Sequence, residues 1–508
     1  MLPAKYSKRG RPKTFMKLNN FTNNVQSLLL NNNTIRQTIF KNTFWLTLGT
    51  GGSRLLNFVL MIFVARILGA TEYGKFAFAL AFVSLFTVVA DLGISTIMVR
   101  EFAQDKEREK EFYSLISLKI ILGLGMLILT LIGAFFVIVD SNIQKIIFIL
   151  ALYVLINSFI DTVYAFFQSR QKMEYQALAA VFGSLCLTAL GFFVIFHIPS
   201  AKNLSMAFLL ANLIALFFLM VFFHSRVLPL RVDWQKNVWQ KFLFLSWPLA
   251  FTSFFALLYT YIDSVMLGFF GKLTENGFYN AAYRIAWMAY IFTGLAVTSF
   301  YPILSKALEE SKEKLQRVWD FQMELMTILA VPLMIGGIIL APRIIEFFYG
   351  KAFLPSVLAL QILMGMAGIL LLGAAFYQIL IVANHQKKLI WVTLLGAIVN
   401  IILNLILIPK YSLYGAASAS LITQFIIFIL MIFFAVKFTK IKFPDLKFLN
   451  VLAMVMVSGA AMSIVISSAR IFYLNVLLSI TIGVLVYFSL FFTLKYMVGR
   501  FALIRIKK

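Results

Sequence analysis

The stretch FWLTLGTGGSRLLNFVLMIFVARILGATEYGKFAFALAFVSLFTVVADLGISTIMV, residues 44–99, decides the fold. It contains two apolar runs of about 25 and 24 residues, separated by a short polar turn beginning at Gly69. Each is long enough to cross a hydrocarbon core roughly 30 Å thick as a helix. A helix is required because lipid offers no partner for unpaired backbone N–H and C=O groups. The same unit recurs along the chain, with apolar segments at roughly 44–68, 76–99, 115–138, 146–169, 176–198, 204–224, 243–269, 278–301, 322–341, 357–383, 389–408, 413–437, 448–468 and 473–494. The expected fold is an all-α polytopic membrane protein of about 14 transmembrane helices.

Of the 508 residues, 61% are hydrophobic and 13% charged, and the mean hydropathy is +0.91. Such a chain has too few polar residues to cover a water-facing surface. The connections are too short to build an extramembrane domain, which excludes most catalytic architectures and places function inside the membrane. The expected organisation is a basic, Asn-rich cytoplasmic tail (1–43), an N-terminal bundle (44–224), a C-terminal bundle (243–437), two further helices (448–494) and a basic cytoplasmic tail (495–508).

Cations sort by connection. Arg100, Arg108, Arg170, Arg231, Lys241, Lys306, Lys314, Lys387, Lys388 and Lys495 fall in alternate loops or flank them, whereas the opposite loops carry mostly single cations such as Lys75, Lys145, Lys202, Lys272 and Lys410. Excess Lys and Arg mark cytoplasmic loops, so both termini are expected inside a cell membrane. The net charge of +25 is thereby explained by topology; the cations do not gather into a groove with interleaved aromatics, and no nucleic-acid partner is expected.

Several chemistries are missing. Cys186 is the sole cysteine, which rules out an internal disulfide, and His197, His224 and His385 lack the spacing of a zinc site. Gly271 and Lys272 resemble the end of a phosphate loop, but Leu273 stands where Ser or Thr is needed. No cofactor or metal is expected.

Intramembrane polar residues cost about 2.5 to 3.5 kcal/mol when charged and mark cavities or partners. Thr47, Thr50, Arg54 and Asn57 share one face of the first segment, and Ser84, Thr87, Asp91 and Ser95 one face of the second. The fourth carries Tyr153, Asn157, Asp161, Tyr164 and Gln168. Thr252, Tyr259 and Asp263 precede Asn280, Tyr283, Arg284 and Trp287 in the next half, and Asn400 and Asn404 form another i,i+4 pair. Depth along the helices permits Arg54 to pair with Asp91 and Asp263 with Arg284, or each to face a central cavity. Arg66 and Lys119 are expected to snorkel.

The run LGATEYGKFAFA from Leu68 is echoed by LGFFGKLTENGFYNAA from Leu267. Six helices separate the copies, so the halves should share one orientation, related by an axis along the membrane normal.

FVARILGATEYGKF from Phe63, ADLGI from Ala90 and NIILNLILIPKYSLYGAASAS from Asn400 resemble the polysaccharide-exporting, Wzx-type branch of the multidrug/oligosaccharidyl-lipid/polysaccharide exporter superfamily. The likeness runs from Lys41 onward; the glycine usual after the IPKY motif is Ser412 here. It implies a MATE-like fold of two pseudo-symmetric six-helix bundles plus two C-terminal helices. The implied activity is flipping of a polyprenyl-diphosphate-linked oligosaccharide by alternating access, with other polysaccharide assembly proteins as possible partners. In that reading Arg54, Asn57, Asn280 and Arg284 bind substrate. Asp91, Asp161 and Asp263 are candidates to carry a coupling Na+ or H+, with Asp161 the leading one. A peptidoglycan-precursor flippase and a MATE-type drug or cation antiporter share the fold; a membrane glycosyltransferase is the remote alternative.

The charge pattern generates a topological prediction. With Cys186 replaced, single cysteines at 75, 145, 272 and 410 should react with an impermeant thiol reagent on intact cells; labelling at 306 or 387 instead would reverse the orientation.

Overall fold

The structure is a computed structural model and describes residues 35–226, 231–439, 441–443, 446–468 and 475–506. The N-terminal tail up to residue 34 lies outside the described residues, as does the connection carrying Arg470. Every regular element among the described residues is helical. The first, α1, runs from Ile35 to Asp91, so helix begins nine residues before the expected start at 44. Its early turns are held by Lys41, which is 1% exposed and paired with Glu174 at 3.1 Å.

Twelve described segments are long and apolar enough to cross a membrane, and two of them span 68 and 54 residues. Straight helices of that length would reach about 100 and 80 Å. Neither is straight. The helix α1 breaks at Gly69, φ 78°, a backbone conformation that only glycine adopts at no steric cost. The other long helix, Gln386–Thr439, breaks at Ser412, φ 53°. Beyond that break a Cβ on Gly415 would lie 2.4 Å from the Leu407 carbonyl oxygen, although eight residues of straight helix would separate the two by about 12 Å. The chain therefore doubles back. Each of these two segments is therefore two helical arms joined at a break. Ser412 bears the strain of a conformation that suits glycine.

After α1 come α2 (Ile94–Gln104), α3 (Phe112–Val137), α4 (Ser141–Ser169), α5 (Met173–His197) and α6 (Ala201–Arg226). The second half comprises α7 (Lys236–Phe269), α8 (Leu273–Ala286), α9 (Tyr290–Glu310), α10 (Lys312–Tyr349), α11 (Ser356–Val382) and α12 (Gln386–Thr439). Two more, α13 (Leu446–Ser467) and α14 (Val476–Ile506), follow. Two expected crossings are interrupted: the second at Leu92–Gly93, both at positive φ, and the eighth by a 3-10 turn at Trp287–Ala289.

The stretch after Pro342, expected as loop, is helical to Tyr349. Proline in a helix frees the carbonyl four residues earlier, and lipid cannot satisfy it. Here protein does: the Gln361 amide donates to the Ile338 carbonyl at 3.0 Å, and the Tyr487 hydroxyl donates to the Ile328 carbonyl, freed by Pro332, at 3.0 Å.

The two copies of the sequence repeat meet face to face at the cation-poor end. A Cβ on Gly74 would stand 1.8 Å from the Leu273 carbonyl oxygen, and one on Gly277 would stand 2.0 Å from that of Ala70. Thr71 and Thr274 share a hydrogen bond at 2.8 Å, and the Asn276 amide donates to the Gly74 carbonyl at 3.0 Å. Ala70, Thr71 and Gly74 correspond in the repeat to Leu273, Thr274 and Gly277, so the contact is reciprocal, as a two-fold axis requires.

Packing follows the same division. One core joins both halves near this end, with Val64, Tyr73 and Phe76 packed with Tyr279, Tyr349 and Leu363. Toward the cation-rich end the halves have separate cores, one around Phe102, Phe112, Phe166 and Phe223 and the other around Leu304, Trp319, Phe376 and Ile379. The start of α7 stays with the first: Trp239 donates to the Ser114 carbonyl at 2.9 Å and Lys241 pairs with Glu111 at 2.9 Å. The last two helices lie against α10 through Val455, Met462, Tyr487 and Val331.

The reciprocal contact predicts a cross-link. Thr71→Cys with Thr274→Cys, in a chain lacking Cys186, should form a disulfide on mild oxidation. Adding Gly277→Val should lower its yield several-fold, read as covalent linkage of the halves after proteolysis between α6 and α7.

Candidate functional site

The polar stripes resolve into three groups, and the partners are not those that sequence spacing offered. Asp91 does not pair with Arg54. Its carboxylate forms an ion pair with Lys119, which is 0% exposed, and accepts from the Ser95 hydroxyl at 2.5 Å. The break at Leu92–Gly93 leaves the first amides of α2 without partners, and Asp91 supplies one through the Ser95 N–H at 3.4 Å. Lys119 therefore does not snorkel: burial in α3 gives its ammonium no water, and the carboxylate replaces it.

Asp161 is exposed on α4 and accepts from the Asn157 amide at 2.8 Å. Asn212 of α6 in turn donates to Asn157 at 3.4 Å, while Gln168, expected to join this group, is bonded to Gln176 at 3.1 Å. The first bundle thus holds two polar clusters, Asp91 with Lys119 and Ser95 and Asp161 with Asn157 and Asn212.

In the second bundle Asp263 is 3% exposed and does not pair with Arg284. Its oxygens accept from the Tyr279 hydroxyl at 2.6 Å, from the Asn404 amide at 2.6 Å and from the Ser420 hydroxyl. Asn404 also bonds Asn400 at 3.0 Å. Three further polar atoms here, Asn404 Oδ1, Asn400 Nδ2 and Thr423 Oγ1, are buried with no hydrogen-bond partner. Asn404 Oδ1 is an acceptor on the very side chain that bonds the Asp263 carboxyl, an oxygen set suited to a hard monovalent cation or a proton. Asn280 belongs to the neighbouring network, donating to Ser264 at 3.1 Å and to Asn276 Oδ1 at 2.8 Å.

The third group joins the halves. Arg284 of α8 donates to Asn57 Oδ1 of α1 at 3.2 Å; Arg284 stands eleven residues into α8 and Asn57 twelve before the break at Gly69, a depth of about 16 to 18 Å. Arg54, one turn further along α1, is exposed and has no hydrogen bond or ion pair among the described residues. Gly49, on the same helix, sits against Ala177 of α5, so this part of α1 packs within the first bundle while Asn57 reaches α8 of the second. Among the described residues neither arginine forms an ion pair, since Asp91 is taken by Lys119 and Asp263 by neutral donors. The signal missed in the sequence was Lys119, whose partner lies 28 residues away on another helix.

Two bundles sharing one core at a single end, with Arg284 of one bonded to Asn57 of the other, define an integral-membrane protein of the two-lobed transporter class. A profile of the family described as polysaccharide biosynthesis protein matches residues 39–308. The chain belongs to that family. It is 23% identical over 383 residues to the capsular polysaccharide biosynthesis protein CapF of Staphylococcus aureus, covering 74% of this chain and 93% of that protein. With the probable low-salt glycan biosynthesis flippase Agl15 of Haloferax volcanii it shares 20% identity, over 72% of this chain and 76% of that one. Among solved structures, the lipid II flippase MurJ in an inward closed conformation superposes with a TM-score of 0.73 at 17% identity, covering 90% of this chain and 99% of that one. The expected MATE-like fold is thus observed.

The Asp91–Lys119 pair predicts asymmetric mutational costs. Lys119→Met should lower stability by about 2 to 3 kcal/mol by stranding the carboxylate, whereas Lys119→Met with Asp91→Leu should recover most of the loss. Thermal unfolding in detergent measures both.

Proposed function

We propose that this protein flips a polyprenyl-diphosphate-linked oligosaccharide across the cytoplasmic membrane by alternating access, for surface polysaccharide assembly, with both termini in the cytoplasm. The observation that carries the reading is Arg284 of the second half bonded to Asn57 of the first, with Arg54 one helical turn away on the same helix as Asn57 and neither arginine in an ion pair among the described residues. A diphosphate is the anion that such a pair recognises, through the guanidinium fork. The family and the flippase named among the relatives agree with it. The isoprenoid tail can stay in lipid beside α13 and α14 while the glycan follows the polar stripes.

A drug or organic-cation antiporter would want an acidic cavity, and the un-neutralised arginines disfavour it. A peptidoglycan-precursor flippase fits the same head-group chemistry, and the likeness to MurJ keeps it as the second reading. In either case the reciprocal glycine contact at the cation-poor end has to separate for the load to leave. No nucleotide site supplies energy, so the coupling ion falls to a carboxylate. Asp263, with unsatisfied acceptors around it, is better furnished to bind Na+ or H+ than Asp161, which has Asn157 alone; Asp91 is occupied by Lys119.

Arg284→Ala should reduce flipping in proteoliposomes at least about tenfold while the protein remains monodisperse, and Arg284→Lys should restore only part, having lost the bidentate fork. Wild-type flipping by the alanine variant would overturn the head-group assignment. Asp263→Asn should abolish the acceleration produced by an imposed sodium or proton gradient, with Asp161→Asn remaining responsive; the reverse outcome would move the coupling site to the first bundle.

A further inference from the structure

We propose that a pocket at the cation-poor end of the first bundle, remote from the arginine seam, binds an anionic phospholipid of the outer leaflet, Lys145 and Lys202 holding its phosphate. The cavity measures about 460 Å³, within the roughly 300 to 1,000 Å³ typical of small-molecule sites. Ala134 and Phe135 in the last turns of α3 and Phe148 and Ile149 of α4 form its apolar wall, and the two lysines complete it. Ile149 is eight residues into α4, so the wall extends about 12 Å below the helix end.

The lysines are available. Both are exposed, and neither forms an ion pair among the described residues. The carboxylates that could neutralise them are engaged elsewhere: Glu72 binds Lys75 at 2.7 Å and accepts from the Ala201 N–H at 2.9 Å, and Asp140 caps α4 through the Asn142 N–H at 2.8 Å. The Glu72 bond also fixes the start of α6, and with it the backbone that carries Lys202. Cations are scarce at this end of the molecule, yet two converge on one pocket.

The shape discriminates among anions. Phe135 is 74% and Phe148 45% exposed, and their surfaces require hydrocarbon, which inorganic phosphate would leave bare. Lysines at the head-group level with aromatic and aliphatic surface beneath them match a phosphodiester joined to acyl chains. A zwitterionic head group would bring its own ammonium against the lysines.

The test uses the full chain in nanodiscs with photoactivatable phosphatidylglycerol or phosphatidylcholine, and maps the cross-linked peptide. Phosphatidylglycerol should label residues 131–149 about thirtyfold more than phosphatidylcholine, from additive attraction by two lysines. Lys145→Gln with Lys202→Gln should erase the preference, and Lys145→Arg with Lys202→Arg should keep it. Equal labelling of the wild type by both lipids would overturn the proposal, and that comparison stands even if the glutamine variant fails to fold. Displacement of the label by a polyprenyl diphosphate but not by excess phosphatidylglycerol would also overturn it, assigning the pocket to the transported lipid.

Discussion

Everything in this molecule hangs on how closely two backbone turns can approach. Gly74 and Gly277 bring the halves to a separation at which neither position has room for a β-carbon, and the surrounding residues of both halves then merge into one core. Close approach of this kind substitutes for the hydrophobic effect, which gives no preference between a helix and lipid tails; contact area and hydrogen bonds such as Thr71 to Thr274 supply the association instead. Because the joint is at one end, the rest of each bundle is free to have its own core.

That separation explains the charges. A seam between two bundles is a place where water and polar ligands can reach intramembrane groups, and Arg284 reaches across it to Asn57 with no ion pair among the described residues. The three carboxylates behave differently because their surroundings differ: Asp91 closes a helix break and a buried ion pair, Asp161 stands exposed beside an amide, and Asp263 is enclosed by neutral donors. Similar residue types at similar depths thus acquire different chemistry from their neighbours.

Much of this was legible beforehand. The hydrophobic segments, the alternation of cations and the LGATEYGKF echo all follow from periodicity and spacing, and the echo pointed to the very residues that form the joint. The failures have one cause, which is that spacing along a helix does not report partners on another. Depth permits Arg54 to pair with Asp91 or to face a cavity, but it is Lys119 that reaches the carboxylate, from α3. The loop assigned after Pro342 is helix because Gln361 bonds the carbonyl that the proline frees. The break at Leu92 could have been suspected from the Asp-Leu-Gly sequence, since glycine and a capping carboxylate flank it.

The satisfied carbonyls also impose an order on biosynthesis. The Ile328 carbonyl, released by Pro332, accepts from Tyr487, 159 residues later in the chain. Until the final helix has been made and inserted, the crossing formed by α10 carries an open hydrogen-bond acceptor in the bilayer. The C-terminal hairpin therefore finishes a helix synthesised long before it, and a nascent chain arrested before residue 487 would present that acceptor to whatever quality control surveys the membrane.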